Sequence, residues 1–428
     1  MDKLIEFFSF SDANVRFVTA GTVLLAVSSA LVGGFTFLRK RTLSGDVVAH
    51  SILPGICLAF LLFDTKNPLV LLTGAFITGW TSIIAVDYIV KNSKLKEDTA
   101  LALVLSVFFG IGIFLLTAIQ HTDMANQTGL DKFLFGKAAS LIGEDVIVFG
   151  FFSVVLIALV YMFFKELTLV SFDKNFAKTS GLPVKFLETL LSSLTVMAVV
   201  VGIQAVGVIL MAAMLITPAA AARYWTNKLK VMLFLAALFS AFSGITGAFI
   251  SYTAPGMATG PWMVLILSII AMFSFILAPD KGILQRWLQQ RKNRKQIAEE
   301  NLLKALYKHA ESDLIFTNGF SMEDMKNFEV LRAGKLKTTT ESLVSERYLK
   351  QSKNQYFFTK EGLEKGKRIT RLHRLWEMYL TKYLRFPPDH VHDDSEAMEH
   401  VITPELEDKL THDLGTPGRD PHEREIPY

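Results

Sequence analysis

Asp46 and His50 lie four residues apart at the start of an apolar segment, residues 47–63. On a helix this spacing puts both side chains on one face, about one turn apart. Each ionisable group inside a membrane helix costs about 2.5–3.5 kcal/mol by insertion scales, so such groups usually mark a substrate or ion path. Carboxylate and imidazole are also suitable ligands for a borderline divalent cation. The alternative is an interfacial Asp at the helix start beside a hydrogen-bonded, buried His.

A second set of ligand-type side chains lies after residue 370, where six of the nine histidines occur. His373 and Glu377 are spaced to share one helical face, and four further residues recur along one side of a second predicted helix: His392, Glu396, Glu399 and His400. Repeated His and Glu on helical faces is typical of a divalent-cation site, and carboxylates favour harder ions. The alternative is a solvated charged surface. Residues 386–428 hold twelve acidic and three basic groups, whose repulsion a bound cation would relieve.

The composition indicates a membrane protein with an attached soluble part. The chain has 428 residues, 51% of them hydrophobic, and a mean hydropathy of +0.37, which is high for a globular protein. Residues 1–280 hold 18 of the 44 Lys and Arg, and residues 281–428 hold 26. The single cysteine, Cys57, excludes an intrachain disulfide.

Apolar runs of about 17–25 residues can each cross a bilayer core. Nine such runs are predicted as spans: 15–38, 47–63, 68–90, 99–119, 145–164, 186–203, 205–222, 231–250 and 261–278. Gln204 is the only strong break between the sixth and seventh, which are therefore either two short helices or one long bent helix. The sequence predicts an α-helical polytopic membrane protein with eight or nine transmembrane helices.

The distribution of Lys and Arg predicts the orientation. With the N-terminus outside, the cytoplasmic loops contain thirteen basic residues and the outer segments five. The charged C-terminal part then falls on the cytoplasmic side.

Two of the cytoplasmic segments are suited to contact with a partner. Residues 172–181 have the pattern of a short amphipathic helix closed by Gly181. Residues 215–224 place Pro218 at a predicted helix restart, followed by small residues that permit close packing. The alternative for both is an ordinary turn between helices.

Three motifs in this order resemble the permease family of zinc, manganese and iron ABC importers: residues 37–55, Phe172-Asp173 with Ala177, and residues 216–220. The resemblance covers residues from about 15 to 280. It implies a paired permease, homodimeric or with a related subunit, whose pathway lies at the dimer axis. It also implies a cytosolic ATPase, an extracytoplasmic metal-binding protein and a location in the plasma (inner) membrane of a prokaryote.

The family's path-lining Asp and His match Asp46 and His50, and its ATPase-coupling loop matches residues that include Thr217, Pro218, Ala219 and Arg223. No P-loop motif, GxxxxGK[ST], occurs in the sequence. ATP hydrolysis is therefore expected from a separate subunit, and the chain itself is expected not to be an enzyme.

After Pro279 the composition changes to that of a cytosolic domain. Residues 281–296 are predicted to form a basic juxtamembrane linker helix, which suits anionic headgroups. Three predicted helices and a hairpin in 297–364 suggest a winged helix, followed by a mainly helical metal-binding and dimerisation domain in 365–428. Residues 286–385 hold 22 basic and 12 acidic groups. That balance is compatible with nucleic acid or with a membrane surface.

This part resembles the iron- and manganese-dependent repressors through three motifs: residues 371–377, 391–400 and 414–422. The resemblance implies metal ligands at His373, Glu377, His392, Glu396, Glu399 and His400. Iron-type members commonly place cysteine where this chain has Glu396, so the carboxylate points toward manganese. The family's first helix contributes a further ligand where this chain has Asn301, with Lys304 a turn later. A protonated Lys cannot bind metal, which leaves one site with fewer ligands.

The leading hypothesis is the permease subunit of an ATP-driven importer of divalent metal, with a cytosolic domain that senses the imported ion and gives feedback inhibition. Mn²⁺ or Fe²⁺ is favoured over Zn²⁺ as substrate and regulatory ligand, and no organic cofactor is expected. The alternative is a membrane-tethered, metal-dependent transcriptional regulator, in which DNA, a less favoured partner, would bind the winged helix. A metalloenzyme is disfavoured because no motif pairs an open metal position with a substrate pocket.

Overall fold

A computed structural model describes residues 2–65, 67–121, 143–254, 257–279, 281–312, 316–328, 331–387, 391, 395–396 and 398–428. The chain divides into two compact units, Met1–Arg286 and Trp287–Tyr428. We call them the membrane unit and the tail. The division falls within the predicted linker region, where the composition changes.

The described part of the membrane unit is entirely helical. Its helices are α1 (Asp2–Phe8), α2 (Ala13–Leu38), α3 (Leu43–Phe63), α4 (Pro68–Asn92), α5 (Glu97–Gln120), α6 (Gly143–Met162), α7 (Phe164–Phe172), α8 (Lys174–Thr179), α9 (Val184–Val206), α10 (Val208–Trp225), α11 (Leu229–Thr253) and α12 (Thr259–Leu277).

Seven of these helices are long and apolar enough to cross a membrane: α2, α3, α4, α5, α9, α11 and α12. An eighth span results if α6 and α7, bent by 69°, form one broken span. The sequence predicted eight or nine spans, and the structure has seven or, with the bent pair, eight. The two counts agree at eight. The sixth and seventh apolar runs are two helices, α9 and α10, because Gly207 separates them with a φ of +92°. Only glycine adopts such a backbone without a steric penalty.

Close backbone contacts hold α3 against its neighbours. A Cβ atom at Gly55 of α3 would lie 2.2 Å from the carbonyl oxygen of Gly74 in α4. On another side of α3, a Cβ at Gly112 of α5 would lie 2.9 Å from Leu53 and from Pro54. Small residues at helix crossings let backbones approach closely, which is how membrane helices gain packing energy without a hydrophobic driving force. The helix that carries Asp46 and His50 is therefore held rigidly.

The tail begins within α13 (Ile283–Ser312) and continues through β1 (Phe320–Ser321), α14 (Met322–Asn327), α15 (Ala333–Ser345), β2 (Leu349–Ser352), β3 (Gln355–Phe358), α16 (Lys360–Tyr383) and α17 (Pro404–Leu414). The three strands form an antiparallel sheet in the order β1-β3-β2. The predicted hairpin is present, and its two turn residues, Lys353 and Asn354, both have positive φ. That is the type I′ geometry, whose twist matches the flanking strands.

Two details of the tail differ from the sequence prediction. The basic linker helix and the first helix of the winged-helix region are one continuous 30-residue helix, α13. A polar composition does not end a helix, and residues 281–312 contain no proline. The third helix was predicted near Thr338–Ser345 and begins five residues earlier, at Ala333, with Arg332 at the N-cap position and no side-chain cap.

Arg374 connects three segments of the tail. Its guanidinium forms a two-pronged contact with Glu311 of α13, at 2.9 and 2.6 Å, and lies 3.5 Å from Asp420. Arg374 is buried on α16. The planar guanidinium suits such paired carboxylate contacts. It holds α16 in a constant position relative to α13, which matters for the site described below.

We predict that Gly55→Ala will destabilise the membrane unit and that Gly110→Ala will not. The new Cβ at Gly55 meets a backbone carbonyl that cannot rotate away, whereas nothing lies within 4 Å of a Cβ at Gly110 of α5. Overpacking of this kind costs about 1–3 kcal/mol. The temperature at which the detergent-solubilised chain aggregates, followed by size-exclusion chromatography, should fall for the first variant only. Equal midpoints for both variants would contradict this packing account.

Candidate metal sites

The membrane unit positions Asp46 and His50 on one face of α3, as the spacing predicted. His50 Nε2 lies 3.5 Å from Asp46 Oδ1, and the side chains are 19% and 40% exposed. The residues between and beside them, Val47, Val48 and Ala49, are buried. The pair therefore lies on the less buried stripe of a helix whose other faces pack against neighbouring helices.

The imidazole of His50 is held by packing and keeps one nitrogen available. Its ring meets the ring of Phe109 in α5 edge to face, with 4.8 Å between centroids. His50 Nδ1 is buried, and no hydrogen-bond partner for it lies among the described residues. A buried polar atom without a partner costs free energy and indicates strain, function or an absent ligand.

Three other acidic groups of the membrane unit have arginine partners. Arg39 lies 3.0 Å from Glu188, and Arg41 lies 3.1 Å from Asp87 and 2.6 Å from Glu97. By contrast, no Lys or Arg nitrogen among the described residues lies within 4 Å of the Asp46 carboxylate. The cation that would balance Asp46 is thus not supplied by a neighbouring basic side chain of the described chain.

The predicted coupling residues do not form a loop. Thr217, Pro218, Ala219 and Arg223 all lie within α10, which runs through Pro218 without interruption. The predicted helix restart at Pro218 is therefore wrong, since membrane helices tolerate an internal proline where neighbouring groups satisfy the freed backbone. Pro218 and Ala219 are buried in the single chain, and Arg223 Nη1 reaches Asn227 O at 3.4 Å.

The other predicted contact segment has the expected form. Asp173 accepts a hydrogen bond from Phe176 N at 2.9 Å and so caps α8, and Gly181 has a φ of +80° just after the helix end. Phe172 and Phe176 are 63% and 57% exposed. Phe172 is the last residue of α7 and Phe176 lies on α8, so two large exposed aromatic groups at the junction of these helices form a surface suited to protein contact.

In the tail, the predicted ligands of α16 meet Glu399. His373 Nδ1 lies 2.6 Å from Glu399 Oε2, and His373 Nε2 lies 3.2 Å from Glu377 Oε1. All three side chains are buried. The helical spacing of His373 and Glu377 predicted their shared face, and the fold adds Glu399 from a segment 26 residues later.

His400 joins the same network from the other side. Its Nδ1 lies 2.6 Å from Glu300 Oε2, and its Nε2 lies 2.9 Å from Asn301 Oδ1 and 3.4 Å from Glu399 Oε1. Glu300 and Asn301 are on α13. Asn301 was expected at this site from the sequence and Glu300 was not, although the position of Glu300 beside Asn301 was a usable signal. His392 lies outside the described residues.

Lys304 brings a positive charge into this network. Its Nζ donates a hydrogen bond to Glu399 Oε1 at 2.6 Å and lies 3.4 Å from Glu396 Oε1. The Lys304 side chain is 6% exposed, Glu399 is fully buried, and Glu396 is 47% exposed. A buried carboxylate requires a cation or several donors, and Lys304 provides that cation.

Two carboxyl groups of the network are held in the charged form. Burial raises the pKa of the Glu399 carboxyl, but the hydrogen bond to His373 and the charge of Lys304 outweigh it, so the pKa lies below its usual range. Burial likewise raises the pKa of Glu300, and hydrogen bonds from His400 and Gln296 bring the net pKa below its usual value. Anionic carboxylates are the form that binds a cation.

The donor types in the tail suit a divalent ion, but their present arrangement does not form a coordination shell. Ligands at about 2.1 Å from a metal lie about 3 Å from one another, and the spacings of 3.2 and 3.4 Å beside His373 and His400 approach this value. However, among the described residues no three His, Cys, Asp or Glu side chains converge in a geometry ready to hold an ion. The ammonium of Lys304 lies against two of the carboxylates that such a shell would use.

Comparison with known proteins identifies both units. The model of the ABC 3 transport family matches residues 11–278, and that of the iron dependent repressor, metal binding and dimerisation domain, matches residues 359–428. The chain is 40% identical to the manganese transport system membrane protein MntC of Bacillus subtilis (strain 168) over 97% of this chain and 95% of that protein.

Two further matches concern the membrane unit. The zinc transport system membrane protein TroC of Treponema pallidum (strain Nichols) is 44% identical, over 66% of this chain and 95% of that protein. The solved structure of PsaBC from Streptococcus pneumoniae in complex with Fab superposes with a TM-score of 0.59 at 33% identity, covering 67% of this chain and 99% of that chain. The chain is a multi-pass membrane protein and belongs to the ABC 3 transport family, as a permease subunit that carries a repressor-type metal-binding domain.

Proposed function

We propose that this permease imports a divalent transition metal, with Mn²⁺ or Fe²⁺ favoured and Zn²⁺ as the third candidate, and that Asp46 and His50 bind the ion in transit. The single observation that carries the proposal is the Asp46–His50 pair, a carboxylate and an imidazole 3.5 Å apart with no basic side chain of the described chain beside the carboxylate. The names of the relatives, which are manganese and zinc transport proteins, support the substrate class.

From the charge distribution we infer that the N-terminus lies outside and the tail in the cytoplasm of a prokaryotic cell. This topology requires an odd number of spans, which is nine if the bent α6–α7 pair and α10 each cross the membrane in addition to the seven long helices. Because α3 begins at Leu43, Asp46 and His50 lie about 5 Å and about 10 Å along its axis at 1.5 Å per residue. The pair then lies in the cytoplasmic half of the membrane. An extracytoplasmic metal-binding protein would deliver the ion, and a second permease copy would complete the pathway around the half-exposed face of α3.

A separate cytosolic ATPase would drive transport, since the sequence has no P-loop. The exposed surface at the junction of α7 and α8, with Phe172 of α7 and Phe176 of α8, is the surface best suited to receive it. Of the coupling residues predicted from the sequence, Pro218 and Ala219 are buried within α10. They would support the docking surface from beneath, and Arg223, at the end of α10, would lie nearer to the partner.

The tail would sense the imported ion through the His373–Glu399–His400 network. Imidazole nitrogens and anionic carboxylates from α13, α16 and the 395–400 segment meet there, so an ion bound among them would change how these segments hold together. The family match of the membrane unit favours an importer with feedback control over a membrane-tethered transcriptional regulator, because a regulator has no use for a transport pathway.

Asp46→Ala is expected to reduce metal uptake at least about 100-fold, since even the loss of an outer-shell partner costs about 10–100-fold in metal affinity. The matched control is Asp98→Ala, which removes an exposed carboxylate near the start of α5. Uptake of ⁵⁴Mn by cells that express equal amounts of each variant measures the difference. Uptake at the normal rate by Asp46→Ala would refute the proposed path, whereas metal binding by the tail should survive this substitution.

Phe176→Ala is expected to weaken binding of the ATPase at least about tenfold, the effect of losing about 1.4 kcal/mol of contact energy. Phe114→Ala serves as the control, because Phe114 is also an exposed aromatic residue and lies on the apolar helix α5. Co-purification of the ATPase with each detergent-solubilised variant measures the effect. If both variants retain the ATPase equally, α8 is not the docking surface.

Internal Mn²⁺ is expected to slow transport by the full chain about 5–150-fold, the range of typical allosteric couplings, and to have no effect on a chain that ends after residue 284. Glu399→Gln should behave like the shortened chain, and the exposed Glu405→Gln like the full chain. The measurement is transport into vesicles loaded with increasing Mn²⁺. Identical inhibition curves for the full and shortened chains would exclude feedback through the tail.

A further inference from the structure

We propose that Lys304 is a built-in cation that occupies part of the tail's metal site and competes with the divalent ion for Glu399 and Glu396. The inference rests on the proposed sensing role of the tail and adds the residue that determines at what metal concentration sensing occurs. It is carried by the position of the Lys304 ammonium, 2.6 Å from Glu399 Oε1 and 3.4 Å from Glu396 Oε1.

The competition concerns a particular oxygen atom. Glu399 Oε1, which accepts the hydrogen bond from Lys304, also lies 3.4 Å from His400 Nε2. An ion bound by these two donors would lie between them, within a few ångströms of the ammonium. A protonated amine has three donors and no lone pair, so Lys304 cannot become a ligand, and it must move away when the ion enters.

Charge balance explains why the network is stable without metal. Glu399 is fully buried and anionic, and a buried charge that loses its partner is costly. Lys304 supplies one positive charge from α13, and the side chains of His373 and His400 fill the remaining positions around the carboxylate. A divalent ion brings twice the charge and can therefore replace the ammonium. The free energy needed to move the Lys304 side chain out of its largely buried position opposes this replacement.

The neighbouring Lys308 provides a control, because it distinguishes occupation of the metal site by Lys304 from a general effect of nearby positive charge. Lys308 lies one turn further along α13, and its pKa is lowered by burial and by the charge of Lys304. It is close enough for the Glu399 and Glu377 charges to act on it, but it forms no hydrogen bond or ion pair with Glu396 or Glu399 among the described residues. Removing either lysine deletes one nearby positive charge, and only the removal of Lys304 empties the position against both carboxylates.

The helix that bears Lys304 gives the competition a structural consequence. Leu302, Leu303 and Leu306 on the same helix belong to the buried core of the winged-helix region. Expulsion of the Lys304 side chain would therefore act directly on a helix that is packed into that core. A response of the tail to metal then requires only that one side chain change its position.

The test measures Mn²⁺ binding to the full chain in detergent by equilibrium dialysis, with Asp46→Ala in every variant so that the tail site is counted alone. Lys304→Met is expected to bind Mn²⁺ at least tenfold more tightly than the chain with Lys304, and Lys308→Met at most threefold more tightly. In addition, metal-free Lys304→Met should lose thermal stability and regain it with Mn²⁺ but not with Mg²⁺. Lys304→Gln, which keeps hydrogen-bond donors for Glu399, is the second variant if the first does not fold, and its affinity should rise in the same direction.

The possible outcomes separate the two proposals. Equal Mn²⁺ affinity with and without Lys304 would overturn the competition while leaving the sensor intact. An equal gain for Lys304→Met and Lys308→Met would also overturn it, because the effect would then be general electrostatics. Absence of tail binding in all variants would overturn the sensor itself, and the inference would fall with it.

Discussion

A carboxylate removed from water must be balanced by a positive charge, and this constraint governs both units of the chain. In the low-dielectric interior an unbalanced charge costs several kcal/mol. In the membrane unit, arginine side chains pair with Glu188, Asp87 and Glu97. Asp46 differs, since among the described residues its ion partner is His50, which is charged only when protonated. In the proposed function a mobile divalent cation would complete this pair, and the lack of a permanent cation would suit the site to transport.

The tail meets the requirement with a lysine. Glu399 has Lys304 at 2.6 Å and His373 at 2.6 Å, so its charge is balanced by groups that belong to the chain. Both units therefore use carboxylate and imidazole groups, but they differ in whether the chain itself supplies the cation. Asp46 depends on an ion from outside, whereas Glu399 carries its own. Under the proposed function, this difference would separate a site that passes ions from a site that reports their concentration.

The features that follow from local periodicity were predictable from the sequence. The apolar runs give the membrane helices within a few residues, and the i, i+4 spacing correctly places Asp46 beside His50 and His373 beside Glu377. The hairpin also follows from its polar turn between alternating residues. Each of these features depends only on residues that are close together in the chain, so the local sequence pattern is enough to predict it.

What the sequence did not predict depends on distant contacts. Lys304 and Glu399 are 95 residues apart in the chain, and Glu300 and His400 are 100 residues apart, so no spacing rule connects them. Pro218 was misinterpreted for a related reason. A proline ends a helix in water, but surrounding helices can satisfy the backbone carbonyl that it frees, and this support is not visible in the local sequence.

A transport site and a sensor site for the same ion have different requirements for affinity. An ion in transit must bind strongly enough to enter and weakly enough to leave, and the proposed pair of ligands on a half-exposed helix face would meet this requirement. A sensor must stay empty until the internal concentration is sufficient, although buried His and Glu ligands would otherwise bind very tightly. A tethered cation solves this problem, because the free energy needed to displace it is subtracted from the binding energy of the ion. On this argument Lys304 is what allows a strong set of ligands to respond only at a high threshold.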